Sequence, residues 1–155
     1  MASKKVKAAN KVRYQAQIKK IKQNQKGVVA PDFTYTMPDK QKGKLSDVKD
    51  CPILLFFNDP DCSDCSIARL RLSTNVTLNR LIDEGQIKLL CIMPEGYTRE
   101  WAEDARNYSD KWIVGASEEA GDNYDIRYSP SFYLLDKDHS IVDKNINLDT
   151  VMSMF

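Results

Sequence analysis

The chain has 155 residues, 42% of them hydrophobic and 29% charged, enough apolar material for one domain and too much for a disordered chain. Its longest uninterrupted apolar runs, 53–57 and 89–93, are five residues each, far short of the roughly 20 that a membrane helix needs, so no membrane span is expected. A net charge of +1 conceals a split: residues 1–31 carry nine Lys or Arg and no acid, whereas residues 32–155 carry 14 basic residues and all 22 acids, a net −8. An acidic body bearing a basic arm argues against a nucleic-acid binder.

Residues 3–26 lack Gly and Pro and are rich in Lys, Gln and Ala, which predicts a helix. Tyr14, Ile18 and Ile21 give it a narrow apolar stripe for docking on the body; before Tyr14 the stripe fades, and fraying is expected over the first dozen residues. Gly27 ends this helix. The alternation in Phe33-Thr-Tyr-Thr36 predicts a strand, with a hairpin loop through 37–43, a short return at Lys44-Leu45, and at most one helical turn at 46–50. The run 53–57 reads as a strand buried on both faces. Residues 62–83 are long enough for one helix, with Ile67, Leu70, Leu78, Leu81 and Ile82 near helical spacing and Gly85 closing it. A second buried strand follows at 87–93, then a helix at 98–108 with Trp101 and Ala105 on one face. A short strand at 112–114 precedes a helical or loop segment at 117–123. Strands at 131–135 and 141–145 form a hairpin around a turn that holds the single histidine, His139. A short final helix begins at Leu148. Strands that alternate with helices and close on an antiparallel hairpin predict an α/β sandwich with a mixed sheet.

Of the four cysteines, Cys51, Cys62, Cys65 and Cys91, two form a CxxC in the stretch Phe56-Phe-Asn-Asp-Pro-Asp-Cys-Ser-Asp-Cys65, where a buried strand runs into a helix. Four are too few for a disulfide scaffold. With Asp61 as the expected N-cap, Cys62 would occupy the first turn and Cys65 the same face one turn later. Unpaired amides and the helix dipole at that end favour an anion, which makes Cys62 the expected thiolate and Cys65 the resolving thiol. Asp59, Asp61 and Asp64 oppose this, because nearby negative charge disfavours a thiolate, and Arg69 and Arg71 lie one to two turns further along and help less. Asp61 and Asp64 are therefore expected to modulate the Cys62 pKa, leaving it in the upper part of the roughly 3.5–7.5 window of activated thiols and the couple reducing.

Four stretches, in order, make the chain similar to the thioredoxin superfamily, and specifically to bacterial thiol–disulfide oxidoreductases of the TlpA/ResA type. Ala30-Pro-Asp-Phe-Thr with Gly43-Lys-Leu resembles the family's opening hairpin, and 54–65 its catalytic strand and CxxC. Residues 89–93 followed by Trp101 resemble its central strand and inserted helix. Tyr124-Asp-Ile-Arg-Tyr-Ser-Pro-Ser-Phe-Tyr-Leu-Leu-Asp136 resembles its cis-proline strand. The resemblance implies a three-layer thioredoxin-like sandwich over residues 29–155, with residues 1–28 a basic helical arm or linker outside it. It implies that Cys62 attacks a substrate disulfide, that Cys65 resolves the mixed disulfide, and that Pro130 is cis and faces the pair while the Ser129 backbone hydrogen-bonds the substrate chain. Protein thiols and disulfides would be the substrates and an upstream thiol the electron donor, with no cofactor beyond the redox-active pair and no metal. It favours a periplasmic location, exported and membrane-anchored with the signal or anchor absent from this chain; a cytoplasmic location is the alternative. Two departures stand out. Asp61 occupies the place where relatives carry an aromatic residue, and Phe56 and Ala68 the places where they keep a buried acid.

Other chemistries fit less well. A four-cysteine zinc site would need Cys51 and Cys91, which fall at different strands and read as packed free thiols. The acids around the CxxC lack the Gly and distal Glu of a calcium loop. A thiol peroxidase would need Thr or Ser where Asp59 stands. The reading that competes with exchange is a thioredoxin-fold binding module with little or no turnover.

Overall fold

The computed structural model describes residues 4–155, with the side chains of Ala8 and of residues 10–155. Helix α1 (Lys4–Gln23) is already helical where the fading stripe predicts fraying; residues 1–3 lie outside the described ones. The expected docking stripe is only partly realised: Tyr14 is 69% exposed, and Ile18 and Ile21 are half-buried. The helix meets the body at its C-terminal end, where Lys20 Nζ donates to the Gly121 carbonyl (3.2 Å) and Asn24 Nδ2 to that of Asn123 (3.0 Å).

β1 (Thr34–Thr36) and β2 (Lys42–Lys44) form the opening hairpin, followed by a single 3-10 turn at Leu45–Asp47. β3 (Ile53–Phe57) is buried at every position, as its unbroken apolar run predicts. The next helical stretch departs from expectation. It is two helices, α2 (Ser63–Thr74) and α3 (Val76–Asp83), broken at Asn75, whose backbone is extended and whose side-chain Oδ1 caps the second by accepting from the Leu78 amide (2.8 Å). Ser73 and Thr74 hydroxyls turn back onto the Leu70 carbonyl, offering the backbone an exit from the helix. The expected face of α2 is also wrong: Ile67 and Leu70 are 52% and 65% exposed, and it is Cys65, Ala68 and Leu72 that face the core.

β4 (Lys88–Met93), α4 (Arg99–Ala105), β5 (Ile113–Ala116) and α5 (Glu118–Asn123) follow. The hairpin β6 (Ser131–Leu135) and β7 (Ile141–Ile146) then turns through His139, which adopts φ 67°, before α6 (Leu148–Ser153). The seven strands form one mixed sheet in the order β2-β1-β5-β4-β3-β6-β7, with β3, β4 and β5 parallel and their outer neighbours antiparallel.

Period-two alternation along β3 divides the core. Ile53, Leu55 and Phe57 join Phe33, Tyr124 and Tyr133 on one face, while Leu54 and Phe56 join Ala68, Leu72, Leu78 and Val151 on the other. Each such side chain contributes about 1.5–3 kcal/mol by burial. The result is the expected three-layer α/β sandwich, and it sets the carboxyl end of β3 between β4 and β6, where the CxxC begins.

Candidate active site

β3 delivers the chain to Asn58, whose amide donates to the Ile92 carbonyl (2.9 Å) and prolongs the sheet by one bond. A turn then forms over Asp59–Cys62: the Asp59 carboxylate accepts from the Asp61 amide (2.9 Å) and its carbonyl from the Cys62 amide (3.2 Å). This turn consumes the residue expected to cap α2. Cys62, not Asp61, is the N-cap, with extended backbone and its Sγ accepting from the Cys65 amide (3.3 Å). The N-cap position brings the sulfur closer to the helix's unpaired donors, since the capping side chain is the one they address.

The second wall is the loop before β6. The Ser129–Pro130 peptide is cis. Ser129 touches both sulfurs: its carbonyl lies 3.4 Å from Cys62 Sγ and its Oγ 3.2 Å from Cys65 Sγ. The Asp59 amide donates to Cys65 Sγ from the other side (3.5 Å). Both cysteines are free thiols. Cys62 is partly exposed, whereas Cys65 is buried directly behind it.

These surroundings move the two thiols in opposite directions. Burial pulls Cys62 upward, but hydrogen bonds from the Cys65 side chain and amide, from Ser129 and from the Asp64 amide outweigh it, and its pKa lies below the ordinary thiol value. Burial pushes Cys65 up to about 11. Asp64 thus acts on Cys62 through its backbone amide, in the direction opposite to the one expected of its carboxylate. Arg69 lends Cys62 nothing; it lies over the Tyr108 ring (4.8 Å to the centroid) and donates to the Asn58 side chain.

One consequence is directly measurable. Because the thiolate is the nucleophile, alkylation of Cys62 by iodoacetamide should accelerate with rising pH through a midpoint below that of an ordinary thiol. Cys65, held near 11, should stay unmodified at neutral pH. Mass mapping of the adducts checks this, and labelling of Cys65 ahead of Cys62 would contradict it.

Cys51 and Cys91 are buried apart from this surface, and burial raises the Cys91 thiol further. Phe56 and Ala68 are fully buried, so the site has apolar contacts where the family resemblance implies an acid. The buried carboxylate among the described residues, Asp125, is paired with Arg127 (3.1 Å) and Lys144 (3.4 Å). Two residues that the sequence reading passed over support the site. Asn58 is buried and bound by Arg69 and Tyr108. Asn145, at φ 48° in β7, accepts from the Arg127 amide and Ser131 Oγ and donates to the Asp125 carbonyl, which holds the loop bearing Ser129 and Pro130. A mid-strand Asn next to Lys144 gives no periodic signal of its own.

Two connected clefts flank the CxxC. One, of about 330 Å³, is lined by Phe57, Met93, Ile126, Tyr128 and Ser129 among others. The second, of about 400 Å³, shares Asp59, Met93 and Glu95 with it and continues past Pro60, Asp61 and α4.

No protein-family model matches the sequence, and no curated protein does. Solved structures do. A thioredoxin-like protein from Bacteroides caccae superposes with a TM-score of 0.83 at 26% identity over 95% of this chain, which spans 55% of that protein's length. A conserved Bacteroides fragilis protein of unknown function is 31% identical, with a TM-score of 0.76, over 84% of this chain and 98% of its own. The thioredoxin domain of a thiol-disulfide oxidoreductase from Bacteroides vulgatus shares the fold at 23% identity and a TM-score of 0.66, covering 84% of this chain and 97% of that one. Taken with the strand order and the strand-to-helix position of the two thiols, these matches mean that the chain belongs to the thioredoxin superfamily.

Proposed function

We propose that this chain carries out thiol–disulfide exchange on protein disulfides as a reductase, with Cys62 the nucleophile and Cys65 the resolving thiol. The observation that carries the reading is the pairing of a partly exposed, acidified thiol at a helix N-cap with a buried, protonated one behind it, both in contact with Ser129. The names of the Bacteroides neighbours, several of them thiol-disulfide oxidoreductases, agree with it.

Cys62 thiolate attacks one sulfur of the substrate disulfide, forming a mixed disulfide and expelling the other substrate sulfur as a thiolate. Cys65 Sγ then attacks Cys62 Sγ, its proton passing to the expelled thiolate, and the second substrate sulfur leaves as a thiolate. Two electrons pass from the dithiol to the substrate, and the Cys62–Cys65 disulfide that remains is reduced again by an upstream thiol donor. No cofactor enters this sequence. Ser129 and Pro130 present the substrate-facing backbone, and residues 29–155 form the working domain with residues 1–28 as its basic arm. No helix among the described residues is long and apolar enough to cross a membrane. An exported location is the one that the resemblance to the TlpA/ResA type implies.

The apolar Phe56 and Ala68 favour one rival, a binding module with little turnover. Redox titration together with insulin reduction separates the two. A reductase should show a two-electron couple below about −150 mV and precipitate insulin chains catalytically. A higher potential overturns the reducing assignment, and absent turnover leaves the binding module.

A further inference from the structure

The trough beside the proposed nucleophile is strongly one-signed. Asp59, Asp61, Glu95, Glu100 and Asp104 line it, and no Lys or Arg does. Among the described residues none of the five takes part in an ion pair. Arg99, on the same helix as Glu100, is paired with Glu103 (3.2 Å), and Arg127 in the adjoining cleft is paired with Asp125. Concave walls of one sign focus the field and raise the local concentration of the opposite charge. Independently of charge, the wall contains a buried donor without an acceptor: Trp101, 2% exposed, whose indole N–H has no partner among the described residues.

We infer that the substrate segment bound beside the reactive thiol is a cationic stretch of polypeptide, seated along Asp59, Asp61, Glu95, Glu100 and Asp104. The inference rests on the exchange reading and names its substrate class. Asp59-Pro60-Asp61 runs directly into Cys62, so a segment lying in the trough passes the thiol. An extended basic chain suits the layout: no three of the described His, Cys, Asp and Glu side chains converge to hold a metal ion, and the carboxylates are strung along the wall. Polyanions are repelled from the same surface.

The test uses disulfide peptides identical except for lysines flanking the cystine in one and glutamates in the other. The basic peptide should be reduced with a kcat/KM about tenfold or more above the acidic one at low ionic strength. That ratio should shrink in high salt, as screening requires. The E95Q/E100Q variant should lower the ratio by about threefold or more, since each carboxylate contributes modestly at an open rim. Binding of the same peptides in S-methylated form gives a readout independent of turnover and should show the same order. Equal rates and equal binding overturn the inference and leave the exchange reading intact. If neither peptide is reduced while the basic one still binds preferentially, the exchange reading fails and the charge recognition stands. A concentration-dependent dimer that binds neither peptide assigns the trough to the basic arm of a second copy and overturns the inference.

Discussion

Replacing Cys62 with serine is expected to bring insulin reduction down to the uncatalysed background, a loss of about 10³-fold or more, the scale on which removal of a nucleophile acts. The substitution isolates chemistry from folding unusually well. Cys62 is the N-cap of α2 and its sulfur accepts from the Cys65 amide. Serine is a strongly preferred N-cap, so the variant keeps that bond and the helix. What it loses is the thiolate, because a serine hydroxyl does not ionise near neutral pH. Replacing Cys65 instead should leave the first attack in place and remove the second. The protein should then accumulate as a mixed disulfide with its substrate, visible as a covalent mass adduct that free dithiol releases. A Cys62→Ser protein that keeps more than a small fraction of the activity would overturn the exchange reading in favour of the binding module.

The parts of the site that were legible in the sequence are those fixed by local pattern. An unbroken run of five apolar residues specifies a strand covered on both faces, and a CxxC immediately after it specifies where the reactive surface lies. The less legible parts depend on competition between near-equal local options. Asp61 and Cys62 can each cap a helix; the Asp59 carboxylate decides the matter by taking the Asp61 amide. The stretch 62–83 has enough apolar residues for one helix, yet the Ser73, Thr74 and Asn75 side chains bind backbone and divide it. Ile67 and Leu70 read as core because their spacing is helical, but Ala68 and Leu72 already fill the face of α2 that meets the sheet. The sign of the influence of Asp64 could not be read from composition either, since its amide rather than its carboxylate acts on Cys62.

Asn145 brings the far edge of the sheet into the chemistry, and its replacement by alanine is expected to cost about 2–4 kcal/mol of stability. Between Phe132↔Ile146 and Leu134↔Asp143 the pairing advances two residues on β6 and three on β7, so β7 carries a bulge there, with Asn145 at φ 48°. Asparagine tolerates that left-handed conformation and alanine does not. Its side chain also accepts from the Arg127 amide (3.1 Å) and Ser131 Oγ (2.9 Å) and donates to the Asp125 carbonyl (3.0 Å), bracketing the loop on both sides of Ser129. Asn145→Gly keeps the backbone freedom and loses the same bonds, so it should recover about 1 kcal/mol of the loss in chemical denaturation. Neither variant should be silent at the site. Ser129 contributes to lowering the Cys62 pKa, so a loosened loop should move the midpoint of Cys62 alkylation upward in both variants. A structural role confined to the sheet edge would reduce stability and leave that midpoint where it was, which makes the alkylation profile the deciding measurement.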